Sequence, residues 1–144
     1  IAKSINKMQG QTTSANCSIA QRAGLAALRA GNDCAIEMKN SYLKRRDLVF
    51  DQLNKITNLK VNLPEGAFYF FPEIDNILGK RDSKGVEIKS SNDLAMYLLE
   101  DAKISLVPGD DFGASNCIRL SYAASESDLI EACKRLDKSI HKLN

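Results

Sequence analysis

An α/β fold is expected of this chain, with a small, mostly antiparallel sheet packed against helices on one side. Three features carry the expectation. Apolar residues recur at helical spacing as far as about Ile56, and from Lys60 onward short alternating stretches are interleaved with helical ones. The run Cys117-Ile118-Arg119-Leu120-Ser121-Tyr122-Ala123 alternates residue by residue, with Ile118, Leu120 and Tyr122 on one face. The spacing Ser-x-x-Asp occurs at Ser90 and Asp93 and again at Ser125 and Asp128, each time ahead of an apolar helical stripe.

Residues 1–9 read as the end of a helix with Ile1, Ile5 and Met8 on one side. Gly10 to Asn16 reads as a polar loop, and Asn16 as the cap of a second helix through Ile19 to Leu28, whose small residues allow close packing. Gly31-Asn32 is a stop signal. Asp33 caps a long third helix reaching about Ile56, with Tyr42, Val49, Leu53 and Ile56 on its apolar stripe. Lys60 to Leu63 is a short strand, Pro64-Glu65-Gly66 a turn, and Ala67 to Phe71 a second strand rich in aromatics. Asn76 to Lys89 is polar and reads as an exposed excursion. A helix with Leu94, Leu98 and Ala102 inward follows. Ile104 to Val107 is a strand stopped by Pro108-Gly109. The strand carrying Arg119 comes next, and a last helix buries Leu129, Cys133, Leu136 and Ile140. One internal boundary is drawn near residue 32, where small-residue helices give way to the strand-containing unit.

The 144 residues are enough for one domain with a core, and 44% apolar with 26% charged residues is ordinary for a soluble globular protein. A net charge of +2 gives no reason to invoke nucleic acid or an acidic membrane, and no stretch approaches the apolar length of a membrane span. The four cysteines, Cys17, Cys34, Cys117 and Cys133, stand singly and far from the lone His141, which argues against a zinc site and for reduced thiols in a cytoplasmic protein. The chain opens mid-pattern, without methionine or a signal-peptide block, and reads as a piece of something longer.

Among residues able to carry chemistry, Arg119 stands first. It shares its strand face with the small Ser121 and Ala123, which leaves room for a planar guanidinium to grip a carboxylate with paired hydrogen bonds. An arginine on a strand ordinarily just snorkels to solvent. Asp110 and Asp111 read as solvated turn formers, Lys44-Arg45-Arg46-Asp47 as a solvated helix face, and His141 as a complement to its helix dipole.

The loop Val107-Pro108-Gly109-Asp110-Asp111-Phe112-Gly113 followed by Ile118-Arg119-Leu120-Ser121-Tyr122-Ala123 resembles the C-terminal signature of the fold-type I aminotransferases that use pyridoxal 5'-phosphate (PLP), and within them the aspartate aminotransferase group. The segment Pro64-Glu65-Gly66-Ala67-Phe68-Tyr69 resembles the family's P-x-G-A-F-Y segment, and Gln11 to Gln21 its passage from the large domain to the interdomain helix. The resemblance covers essentially the whole chain but only the last part of the family's length.

That resemblance implies residues 1–32 as the remnant of a large domain with its interdomain connection, and residues 33–144 as the small C-terminal domain. It implies Arg119 as the group that binds the substrate's α-carboxylate. Gly66 would be substrate-proximal, where glycine permits a positive φ or a close approach; the plainer reading is a turn into a core strand. Thr13 and Ser14 would lie near the cofactor phosphate, with simple capping as the plainer reading. The lysine that holds PLP would lie upstream of Ile1, so this chain alone should be inactive. The intact enzyme would take a small amino acid and a 2-oxo acid, pack against its own large domain, and form a homodimer. Two other readings stay open: a PLP enzyme of the same fold acting on another amino acid, by transamination or β-elimination, and a non-catalytic amino-acid-sensing module of a regulator.

Overall fold

The computed structural model describes residues 1–13 and 16–144, excepting the side chain of Cys34. Its helices are α1 (Ala2–Thr12), α2 (Ser18–Arg29), α3 (Asp33–Leu53), α4 (Ser91–Asp101) and α5 (Glu126–Ile140). Its strands are β1 (Tyr69–Phe70), β2 (Val107–Pro108) and β3 (Ile118–Ser121), and a 3-10 turn spans Gly109–Phe112. The chain divides into two compact units, Ile1–Met38 and Lys39–Asn144.

In the first unit α1 runs further than its glycine foretells. Gly10, Gln11 and Thr12 are helical rather than loop. The hydroxyl of Thr12 donates to the Met8 carbonyl at 3.0 Å and that of Thr13 to the Gln9 carbonyl at 2.8 Å, second bonds to carbonyls of the last turns of the helix. Asn16 does not cap α2 with its side chain. Cys17 occupies the cap position, and the Asn16 carbonyl accepts from Gln21 Nε2 at 2.8 Å. Neither α1 nor α2 buries a residue.

In the second unit a three-stranded antiparallel sheet has the order β1-β3-β2. Phe70 pairs with Leu120 and Pro108 with Ile118, which sets Phe70, Ile118, Leu120 and Tyr122 toward the core. Leu94 and Leu98 of α4, Leu129, Cys133, Leu136 and Ile140 of α5, and Val49 and Leu53 of α3 complete that core, as their spacing foretells. Phe70 stacks on Phe50 at 6.4 Å between centroids and lies 5.4 Å from the Tyr122 ring. Ser90 and Ser125 cap α4 and α5 by accepting from the N–H of Asp93 and Asp128.

The strands are shorter than alternation alone implies. Of the expected Lys60 to Leu63 strand only Lys60 pairs, in an isolated bridge to Glu73. Pro72, with no N–H to give, separates that bridge from β1. Pro108 does not stop its strand but belongs to it. Because β2 lies at the sheet edge, the missing N–H costs no ladder bond. The 76–89 excursion is not wholly exposed. Its two isoleucines, Ile77 and Ile88, are buried, and Arg81 exchanges both backbone hydrogen bonds with Asn144. No helix among the described residues is long and apolar enough to cross a membrane.

Candidate functional site

Arg119 sits in the central strand β3, opposite Val107 of β2. Tyr69 of β1 pairs with Ser121, so Tyr69, Arg119 and Ser121 share the face turned away from the core. On that face Tyr69 is the diagonal neighbour of Arg119, within reach of long side chains. The guanidinium carbon lies 5.3 Å from the Tyr69 ring centroid and 4.7 Å from that of Phe112. Among the described residues the guanidinium makes neither a hydrogen bond nor an ion pair. It is half-buried, held by two aromatic rings and with its donors unspoken for.

The loop before β3 brings Phe112 to that position. Gly109 is buried, and a Cβ there would run into the carbonyls of Ala114 and Cys117. Gly113 ends the 3-10 turn at φ +72° in the left-handed region. The Phe112 ring meets Phe71 edge-on at 6.0 Å. Asp110 is more than a solvated turn former, since its Oδ2 accepts from the Ser91 hydroxyl at 2.8 Å. In the sequence Phe112 is only one letter of a motif. A large aromatic in a loop next to a small-residue strand face was the signal available.

Gly66 lies elsewhere. It lines a groove of about 280 Å³ together with Tyr42, Arg46, Pro64, Phe68 and Tyr122, and Arg119 does not line that groove. The positive φ that glycine would permit at Gly66 is found on its neighbour, Ala67, at +62°. The Tyr122 hydroxyl donates to the Ala67 carbonyl at 2.9 Å, and the Tyr122 N–H to that of Phe68 at 2.9 Å. These bonds hold the loop in its bend, and burial pushes the Tyr122 phenol above its ordinary range. Arg46 is not a purely solvated charge either: it pairs with Asp47 and donates to the Pro64 carbonyl at 3.3 Å. Open space surrounds the Gly66 Cα, where an added Cβ would meet nothing within 4 Å.

Thr13, expected near a cofactor phosphate, caps the C-terminal end of α1. It gives both its N–H and its hydroxyl proton to the Gln9 carbonyl. As placed, it does not fit a phosphate anchor, which needs a donor free to turn to the anion. Ser14 lies outside the described residues. The thiols of Cys117 and Cys133 are buried and free, and burial raises that of Cys133 to about 11. No cluster of metal-ligating side chains occurs among the described residues. His141 accompanies Asp137 at the end of α5, with Nδ1 3.1 Å from Oδ1.

A family model described as aminotransferase class I and II matches residues 1–136. The chain is 42% identical over 144 residues to an aspartate aminotransferase of Rhizobium meliloti, spanning all of this chain and 35% of that protein. The crystal structure of a Rhizobium meliloti aspartate aminotransferase superposes with a TM-score of 0.93 at 42% identity, over 99% of this chain and 36% of that one. An aspartate aminotransferase of Thermus thermophilus, solved with maleate, superposes with a TM-score of 0.79 at 34% identity, over 95% of this chain and 34% of that one.

Proposed function

The chain belongs to the class I and II aminotransferases, and on that premise we propose that it is the carboxylate-binding part of a PLP-dependent aspartate-type aminotransferase, with Arg119 as the residue that grips the substrate's α-carboxylate. It spans about a third of the length of the relatives it matches, so the whole enzyme is a longer polypeptide in this reading. Residues 1–32 are then the end of the large domain and its connection, and residues 33–144 the small domain.

The observation that carries the reading is the free guanidinium. Arg119 has no acid of its own among the described residues, yet it is neither loose nor fully solvated. A half-buried cation without a partner is unfavourable unless something completes it. A carboxylate does so with two parallel N–H···O bonds. Maleate, present in the Thermus thermophilus structure, is a dicarboxylate, which supports a carboxylate as the ligand.

When bound in the whole enzyme, PLP supplies the electron sink for moving an amino group between an amino acid and a 2-oxo acid. The part of this chain is to bind and orient. Arg119 fixes one end of the substrate, so that the bond to be broken at Cα points the same way in every encounter, and orientation of this kind supplies a large share of the rate. Gly66 stays in the reading as backbone that a ligand or the large domain approaches, because open space surrounds its Cα. Thr13 is assigned no phosphate contact.

Arg119→Ala in the full-length enzyme tests the proposal. KM for amino and oxo acids is expected to rise about a hundredfold, the scale of losing a charge-assisted pair, with PLP still bound. Unchanged kinetics would take Arg119 out of the site.

A further inference from the structure

The geometry points to Phe112 and Tyr69 as positioning residues that set how tightly Arg119 holds a carboxylate, an inference that rests on the role proposed for Arg119. Both rings are unusually open for large aromatics, with Phe112 51% and Tyr69 38% exposed, so they are not placed there to fill the core. What they share is the guanidinium, which lies over both ring faces.

A guanidinium carries its N–H donors in its own plane. Contact with ring faces therefore restrains that plane without using a donor. A hydrogen-bonded acid in the same place would also hold the arginine, but it would compete with the substrate for the same N–H groups. Aromatic support leaves the donors free and sets apolar surface beside the cation, and a lower local dielectric strengthens the bonds it later makes. It also removes rotamer freedom in advance, so less is lost when the carboxylate arrives.

The two rings are themselves braced. Phe112 rests edge-on against Phe71 and is the last residue of the 3-10 turn, which begins at Gly109 and is followed by Gly113. Tyr69 is fixed by strand pairing with Ser121 and meets Phe68 edge-on at 6.1 Å. One support comes from the loop before β3 and the other from strand β1, so the arginine is gripped from two elements far apart in sequence.

The test uses the full-length holoenzyme with Phe112→Leu, Phe112→Tyr, Tyr69→Leu and Tyr69→Phe. Equilibrium binding of maleate is read by calorimetry, and steady-state kinetics with an amino acid is compared with turnover of a primary amine that lacks the carboxylate. Each leucine variant is expected to raise Kd for maleate and KM for the amino acid about five- to thirtyfold, the range of a partly desolvated cation–π contact. The aromatic variants should recover most of the loss, and the amine should be handled as by wild type. Equal behaviour of the leucine and aromatic variants would overturn the inference, as would equal losses with both substrates, the mark of general structural damage. Arg119→Ala is run alongside. If it abolishes maleate binding while the leucine variants bind like wild type, only the positioning role fails. If Arg119→Ala itself binds maleate normally, the reading of the site fails first.

Discussion

The buried hydroxyl of Ser91, the first residue of α4, donates to Asp110 Oδ2 at 2.8 Å, and the Asp110 N–H points back at the Ser91 oxygen at 3.4 Å. Asp110 belongs to the 3-10 turn that also carries Phe112. The start of a core helix is thereby tied to the loop that supports Arg119, across a separation that no local pattern encodes.

Ser91→Ala is expected to lower the unfolding free energy by about 0.5–1.5 kcal/mol, the net worth of one hydrogen bond, because the exposed Asp110 carboxylate can turn to water instead. Asp110→Asn, whose side-chain oxygen still accepts, should lose less than Asp110→Ala. Denaturant unfolding of the three variants checks the order. Equal stability of Asp110→Asn and Asp110→Ala would mean that the bond contributes nothing.

The caps at Ser90 and Ser125, and the stripes behind them at Leu94 and Leu98 and at Leu129 and Leu136, were legible because caps and stripes are local. The outward face of Arg119 was legible for the same reason. The pairing of Pro108 with Ile118 was not, since a proline stops a strand unless the strand is at an edge, and edge position depends on the whole sheet. The support of Arg119 by Phe112 and of Pro64 by Arg46 was hidden likewise, because each joins residues brought together only by tertiary packing. Gly66 shows the limit of residue type as a signal. Glycine marks where a positive φ is easy, but hydrogen bonds from Tyr122 to Ala67 and Phe68 put it one residue later.

The two glycines of the loop before β3 should respond differently to a methyl group. At Gly109 the new Cβ meets the backbone carbonyls of Ala114 and Cys117, and backbone yields poorly. At Gly113 the space is open, and the cost is the left-handed φ of +72° alone. Gly113→Ala is therefore expected to cost about 1 kcal/mol. Gly109→Ala should cost more, above about 2 kcal/mol, and should weaken maleate binding by displacing Phe112. Equal melting temperatures for the two variants would contradict the close approach at Gly109.

Acid sensitivity should trace in part to Asp101, at the end of α4. Its carboxylate accepts from Lys142 Nζ at 2.7 Å and from the buried Ser139 hydroxyl at 2.6 Å, which joins α4 to the end of α5. The Lys142 hydrogen bond first, and that of Ser139 second, hold the Asp101 carboxyl below the usual carboxylate range. A group whose folded pKa is depressed contributes stability above its unfolded pKa and loses it as pH falls through the folded one. Asp101→Asn keeps the size and removes the charge. Because the pair is partly exposed, the expected deficit of the variant at pH 7 is modest, about 1 kcal/mol or less. That deficit should shrink as pH drops below about 4, where an unperturbed aspartate begins to protonate, and close further as the folded carboxyl titrates. Urea unfolding of wild type and variant at neutral and acid pH measures it. A gap that stayed constant across that window would show that the Asp101 charge takes no part in joining the two helices.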